Sequence, residues 1–159
     1  MPMFLRKILH TLFLRIMKVV ANLSPPSRHA VFAGSGSSSQ LCEHIVRTGA
    51  RKVLVVTDKP LRELGVVDRA VSALVAADMD LAYYDGVLPD PTFDHVAEGA
   101  AIARQHGSEV VLAIGGGSSI DAAKIIAASA TSEESPMDWV GFGKVKHEIL
   151  QLYAIPTTS

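Results

Sequence analysis

The sequence has one cysteine, Cys42, so no disulfide can form within the chain, and neither Cys42 nor any of the six histidines falls at zinc-site spacing. A reducing compartment, the cytoplasm, is therefore the expected setting. Aromatic residues make up only 6% of the chain, and no long uncharged apolar run is present. The one candidate stretch is interrupted by Arg6, Lys7, Arg15 and Lys18, and so falls short of the roughly 18 residues a spanning helix needs. Charged residues are also sparse, at 19%, with a mean hydropathy of +0.28, which excludes disorder for the bulk of the chain and implies a sizeable core. At 159 residues the expectation is one soluble globular domain with an appendage.

The charge is unevenly spread. Residues 1–30 hold Arg6, Lys7, Arg15, Lys18 and Arg28 and no acid, leaving ten bases against all sixteen acids in 31–159, so the two segments carry +5 and −6. An acidic domain poor in stacking rings argues against a nucleic-acid partner. In the basic segment, Phe4, Leu5, Ile8, Leu9, Leu12, Phe13, Ile16, Val19, Val20 and Leu23 fall on one helical face, and Pro25 and Pro26 end the pattern. The spacing predicts an amphipathic basic helix over 1–26. Its apolar face, residues 4–23, suits packing on protein equally with lying on an anionic membrane surface or acting as an import presequence.

From residue 27 onward short runs of Val, Ile and Leu alternate with helical stretches, the βα rhythm of an open parallel sheet with helices on both faces. Strands are predicted at 30–33, 52–57, 80–84, 109–114 and 151–155, and helices at 38–48, 66–77, 93–106 and 119–130. The runs 52–57 and 109–114 are apolar throughout their interiors, as strands covered on both faces must be, and are expected to be central. Residues 131–150, around the lone Trp139, read as an irregular excursion.

In such sheets ligands bind beyond the carboxyl ends of the strands. Four polar or glycine-rich turns stand there: Asp58-Lys-Pro60, Asp85 to Thr92, Gly115 to Ser119, and Pro156 to Ser159. Gly115-Gly116-Gly117-Ser118 is the strongest signal. Successive glycines let a ligand approach the backbone, and the following helix offers unpaired N–H groups and a dipole that favour a phosphate or pyrophosphate. The same residues also suit a plain turn in which Ser118 caps the helix and Asp121 completes a capping box. Asp58 has a role to match if the ligand is a nucleotide, since a carboxylate at a neighbouring strand end accepts from ribose hydroxyls and repels a 2′-phosphate, favouring NAD over NADP. It equally suits a turn aspartate before a proline. Gly34-Ser-Gly36 lacks the third glycine of a dinucleotide fingerprint and is read as a loop. Neither a nucleophile elbow nor a P-loop is completed around Ser118. The histidines are scattered and read as surface or helix residues.

Gly115-Gly-Gly-Ser-Ser-Ile-Asp-Ala-Ala-Lys124 resembles the GGGSxxDxAK motif of the iron-containing, or group III, alcohol dehydrogenases. Val55-Val-Thr-Asp-Lys-Pro-Leu61 with Leu64-Gly65, Pro89-Asp-Pro-Thr92 and Ile155-Pro-Thr-Thr-Ser159 follow in that family's order. The resemblance covers about 30–159. It implies a Rossmann-like NAD-binding α/β domain over 27–159, in which Gly116, Gly117 and Ser118 hold the pyrophosphate, Asp58 faces the adenine ribose, Thr157 and Thr158 lie near the nicotinamide, and Gly115 and Asp90 also belong to the cofactor-binding set. Asp90 takes the place of an asparagine between the two prolines, where a carboxylate cannot donate the amide hydrogen bond. The resemblance also implies that the iron, held by one aspartate and three histidines, belongs to a helical C-terminal domain absent from these residues. The chain is accordingly expected to be the truncated NAD-binding portion of an enzyme that moves hydride reversibly between an alcohol and NAD, with no catalytic or metal residue of its own. For the parent the implied partners are NAD(H), a small alcohol or aldehyde, and further copies of itself. Two other readings use the same residues: a stand-alone nucleotide-binding or interaction module without catalysis, and a relative of glycerol dehydrogenase or dehydroquinate synthase.

Overall fold

The computed structural model describes residues 30–141 and 143–157; the helix expected over 1–26 lies outside them. Within the unit that begins at Phe32 the chain alternates helix and strand. Helix α1 (Ser37–Arg47) leads to β1 (Lys52–Val56); three short helices, α2 (Lys59–Glu63), α3 (Val66–Ala70) and α4 (Ser72–Ala76), lead to β2 (Asp80–Tyr84). Then come α5 (Phe93–His106), β3 (Val110–Gly115), α6 (Gly117–Ser129), one turn of 3₁₀ helix (Pro136–Trp139) and β4 (Gln151–Pro156). The four strands form one parallel sheet in the order β2-β1-β3-β4, the Rossmann-like α/β architecture expected from the alternation.

The two apolar runs are the two inner strands. Val53–Val56 of β1 and all six residues of β3 are buried, with Leu54 beside Val111 and Val55 beside Leu112 in the pairing register. Strand alternation sends Val53, Val55, Val110, Leu112 and Ile114 to one face, under Leu41, Cys42 and Ile45 of α1 and Val67, Val71 and Leu74. Leu54, Val56, Val111 and Ala113 go to the other, under α5 and α6. That division follows from connection direction. With right-handed crossovers, the step from β1 out to β2 places α2–α4 on one face, and the steps back through β3 to β4 place α5 and α6 on the opposite one.

Two expected elements differ. Residues 30–33 form no strand: Val31 is 83% exposed, while Phe32 packs on the α1 side with its ring 5.7 Å from that of His44. Gly34 and Gly36, both at positive φ, turn the chain at once into α1, and no described strand pairs with the segment. The helix expected over 66–77 is broken. Gly65, at φ 68°, starts α3, and Val71, at φ −92° and ψ 4°, separates α3 from α4, so that Val67, Val71 and Leu74 all reach the sheet. Of the described histidines, His44, His95 and His106 lie on helices as read, His95 closing a capping box with Thr92 and His106 pairing with Asp80, while His147 lies in the irregular excursion, partly buried with its ring tilted against Trp139. His10 and His29 lie outside the described residues.

Two measurable consequences follow from the scaffold. The Cys42 thiol donates to the Ala70 carbonyl at 3.2 Å, and burial, with the charge of Glu43, pushes its pKa up to about 11. Two units above an ordinary thiol lowers the thiolate population about a hundredfold, so the folded protein should react with a disulfide reagent at pH 8 that much more slowly than the unfolded chain. Rapid stoichiometric labelling without denaturant contradicts this. At the amino ends of the strands, Glu109 Oε2 accepts from the N–H groups of Arg51 and Lys52 at 2.5 and 3.1 Å, which holds its pKa below the usual 4.5. A depressed carboxylate pKa contributes stability above the unfolded value and loses it as pH falls through the folded one. The difference in melting temperature between the wild type and Glu109→Gln is therefore expected to be largest above about pH 5 and to shrink on acidification; a difference that grows toward low pH contradicts the assignment.

Candidate functional site

The chain leaves β1 for one edge of the sheet and returns to start β3, so the turns beyond these two neighbouring strands diverge and leave a crevice between them. A cleft of about 720 Å³ opens there, and all four turns line it: Asp58, Lys59, Pro60 and Leu61 after β1; Asp85 to Pro89 after β2; Gly116, Ser118 and Ser119 after β3; and Thr157 after β4.

The three glycines do different things. Gly115 sits at φ 153°, and a Cβ there would collide with Ser119 Oγ and stand 2.7 Å from Ser119 Cβ, so both backbone and packing require glycine. Gly116 has an extended conformation open to any residue, φ −79° and ψ −170°, and is the residue before the first helical turn. Gly117 begins α6 with open space where its Cβ would stand. Positive φ is therefore needed once, not three times.

The capping box that the sequence also allows at this helix does not form. α6 starts two residues earlier than the prediction at 119, so Ser118 lies inside the first turn, and Gly116, the capping position, offers no side-chain acceptor. Asp121 instead receives a hydrogen bond from Lys124 Nζ at 2.9 Å on the exposed helix surface. Without a side-chain cap among the described residues, the first N–H groups of a 13-residue helix and its positive dipole end face the cleft with no acceptor from those residues.

Asp58 is a turn aspartate at a helix start, one of the two readings open to it in the sequence, and its position is at the cleft. It caps α2, Oδ1 accepting from the Leu61 N–H at 2.9 Å with Pro60 in the first turn, and it also lines the cleft. Its backbone forms an isolated antiparallel bridge with Gly86, tying the turn after β1 to the turn after β2. Thr157 is exposed at the cleft and donates its backbone N–H to the Gly115 carbonyl at 3.1 Å. Asp90 is exposed between its two prolines and does not line the cleft; Thr158 lies outside the described residues.

Sequence reasoning passed over the apolar wall made by Leu61, Val87, Leu88 and Pro89, and the cation Lys59 at its side. The run Asp85-Gly-Val-Leu-Pro89 carries the signal, since an apolar pair between a strand end and a proline has few other surfaces to cover. Tyr84, under this wall and 3% exposed, has its phenol pushed up to about 12, first by burial and then by the charges of Glu98 and Asp85. The described residues include no group of three or more His, Cys, Asp or Glu side chains arranged to hold a metal ion. No helix among them is long and apolar enough to cross a membrane.

A profile described as "Iron-containing alcohol dehydrogenase" matches residues 28–159. The chain is 34% identical over 128 residues to alcohol dehydrogenase 4 of Saccharomyces cerevisiae, covering 80% of this chain and 34% of that protein. Its fold superposes on NADH-dependent butanol dehydrogenase A of Thermotoga maritima with a TM-score of 0.72 at 30% identity, covering 83% of this chain and 35% of that one. On sulfoacetaldehyde reductase of Bifidobacterium kashiwanohense, solved in complex with NAD+, the TM-score is 0.70 at 26% identity, covering 83% and 37%. The chain thus spans about a third of the length of the relatives it matches. A match extending from residue 28 through the parallel sheet, the glycine turn and the strand-end cleft means that the chain belongs to the iron-containing alcohol dehydrogenase family.

Proposed function

We propose that these residues form the NAD-binding portion of an enzyme that interconverts an alcohol and its carbonyl product. The observation that carries this reading is the uncapped amino end of α6 facing Asp58 across the crevice between β1 and β3. An anion at the helix end gains free N–H donors and the helix dipole, worth about 0.3–1 kcal/mol at an exposed site and up to ~2 when partly buried. A dinucleotide presents both matching groups, a pyrophosphate for the helix and a ribose diol for a carboxylate. Gly115 keeps the turn close to Ser119, Gly116, Gly117 and Ser118 supply the pyrophosphate contacts, and Asp58 accepts from the ribose while still capping α2. Leu61, Leu88 and Pro89, over the buried Val87, give an apolar surface for the adenine. Thr157, with Thr158 after it, is assigned to the nicotinamide side. Two relatives support the choice of cofactor: one is named for its dependence on NADH and the other was solved with NAD+.

When bound, NAD accepts a hydride from the alcohol carbon or, reduced, returns one to the carbonyl. The chain's own residues orient the dinucleotide and shield one side of it; the alcohol remains unassigned. The described residues do not fit the iron of the family's name, since they offer no cluster of ligands for it. A buried, undissociated Cys42 thiol suits the reducing cytoplasm. The exposed Met137, Val140 and Val145 of the excursion suit burial against another surface, in keeping with a homo-oligomeric enzyme.

Fluorescence titration of the 159-residue chain with NADH tests the reading, and saturable binding below about millimolar concentration is expected. Gly116→Leu should abolish it with only a small fall in melting temperature, because the Gly116 backbone conformation is open to any residue although leucine caps a helix less well than glycine. No signal in the wild type, or undiminished affinity in Gly116→Leu, contradicts the assignment. Asp58→Ser retains a capping hydroxyl. It should therefore raise affinity for NADPH relative to NADH by about tenfold with little loss of stability, as loss of one carboxylate–hydroxyl bond and one repulsion predicts.

A further inference from the structure

The wall of the cleft formed by residues 85–89 packs over the ring of Tyr84. Tyr84, the last residue of β2, lies in a slot between two glycines. A Cβ on Gly86 would stand 2.8 Å from Tyr84 Cε2 and 3.0 Å from both Cζ and Oη; a Cβ on Gly99 of α5 would stand 3.0 Å from Tyr84 Cδ1. Neither glycine has positive φ, so the backbone does not demand glycine at either position; at Gly86 the ring does, and at Gly99 Ile126, with Cδ1 2.5 Å from such a Cβ, does so ahead of the ring. Val87, one residue past Gly86, is buried in the same cluster as Tyr84 and fastens the other side of the turn.

Two backbone links carry the ring's position to Asp58. The Thr57 N–H donates to the Tyr84 carbonyl at 2.9 Å, and Asp58 pairs with Gly86. Asp58 Oδ1 is held by the Leu61 N–H, so Oδ2 is the oxygen left for a ligand in the cleft. Raising Gly86 off the ring shifts the bridge, and the bridge shifts the carboxylate. Resting on the cofactor reading above, we propose that Tyr84 is a positioning residue for nucleotide selection: its ring, gripped between Gly86 and Gly99, fixes the Asp58–Gly86 bridge and aims the Asp58 carboxylate at the ribose edge. The ring does this and not the hydroxyl, which is buried without a hydrogen-bond partner among the described residues.

The proposal is read from the ratio of NADH to NADPH affinity, which a purely structural role would leave unmoved. Titrations of the full chain with each nucleotide, beside thermal unfolding, are compared for wild type, Gly86→Ala, Tyr84→Leu and Tyr84→Phe. Gly86→Ala presses a methyl into the ring and Tyr84→Leu removes the ring. Each should weaken NADH about tenfold, the loss of one bond to a charged acceptor, while NADPH, whose 2′-phosphate the carboxylate repels, should not weaken. Tyr84→Phe keeps the slot filled and should keep the wild-type ratio. Equal losses for both nucleotides, an unchanged ratio in Gly86→Ala and Tyr84→Leu, or a ratio lost in Tyr84→Phe would each overturn the proposal while leaving the cofactor reading standing. A wild type that binds neither nucleotide overturns the cofactor reading and this proposal with it. If Gly86→Ala or Tyr84→Leu fails to fold, the other decides.

Discussion

The pairing of β1 with β3 is the constraint on which the rest of this structure depends. Val53–Val56 and Val110–Ala113 are consecutive in the ladder but far apart in the chain, and everything between them must leave and return. The outward leg passes over one face to β2 and the return leg over the other, so two apolar layers form and the inner strands are covered on both sides. The same divergence opens the crevice at the carboxyl ends. A sheet wound in one direction only would have bridged that gap with a crossover, and the amino end of α6 would not face Asp58 across open space.

How close the helix can come depends on small side chains. α6 lays Ala122, Ala123 and Ala127 on the sheet, and α5 contributes Gly99, Ala100 and Ala103. With little bulk between helix and strand, the turn from β3 into α6 has to be short, and Gly115 is where that shortness is felt: its missing Cβ is the space Ser119 occupies. The glycine-rich turn is therefore first a packing solution. Its value as an anion site comes from the next feature, a helix whose capping position has no side chain with which to fill its own donors.

Much of this could be read in the sequence, for physical reasons that differ by element. The inner strands were legible because continuous apolar runs of four or five residues have no stable place except under cover on both faces. Helix α5 was legible from Thr92 at its start to Gly107 at its end, both of which behave as caps. The segment 30–33 has strand-like residues but no partner to pair with among the described strands, and pairing is a non-local fact that composition does not hold. The helix expected over 66–77 hid a break because Val67, Val71 and Leu74 satisfy a helical spacing while the packing against β1 and β3 sets the actual bend. At the site, Asp58, Gly116, Ser118 and Thr157 meet at one cleft as their strand-end positions imply, whereas Asp90 stands outside it because the paired prolines carry it past the wall.

The capping box that did not form separates a motif from its meaning. Ser118 and Asp121 have the right spacing for reciprocal capping, and that pattern, taken alone, would have consumed the donors an anion needs. Starting α6 at Gly117 moves Ser118 into the first turn and leaves Asp121 to Lys124 on the surface. A stability-driven end would have placed the hydroxyl at the cap, worth about 1 kcal/mol. At the neighbouring strand end, by contrast, Asp58 does cap α2 fully and still lines the same cleft. One wall of the crevice thus carries a carboxylate held by its own helix, and the other, among the described residues, is left without a side-chain cap. That asymmetry, a fixed carboxylate opposite an uncapped helix, is what a ligand carrying both an anionic and a hydroxyl-bearing end would complete.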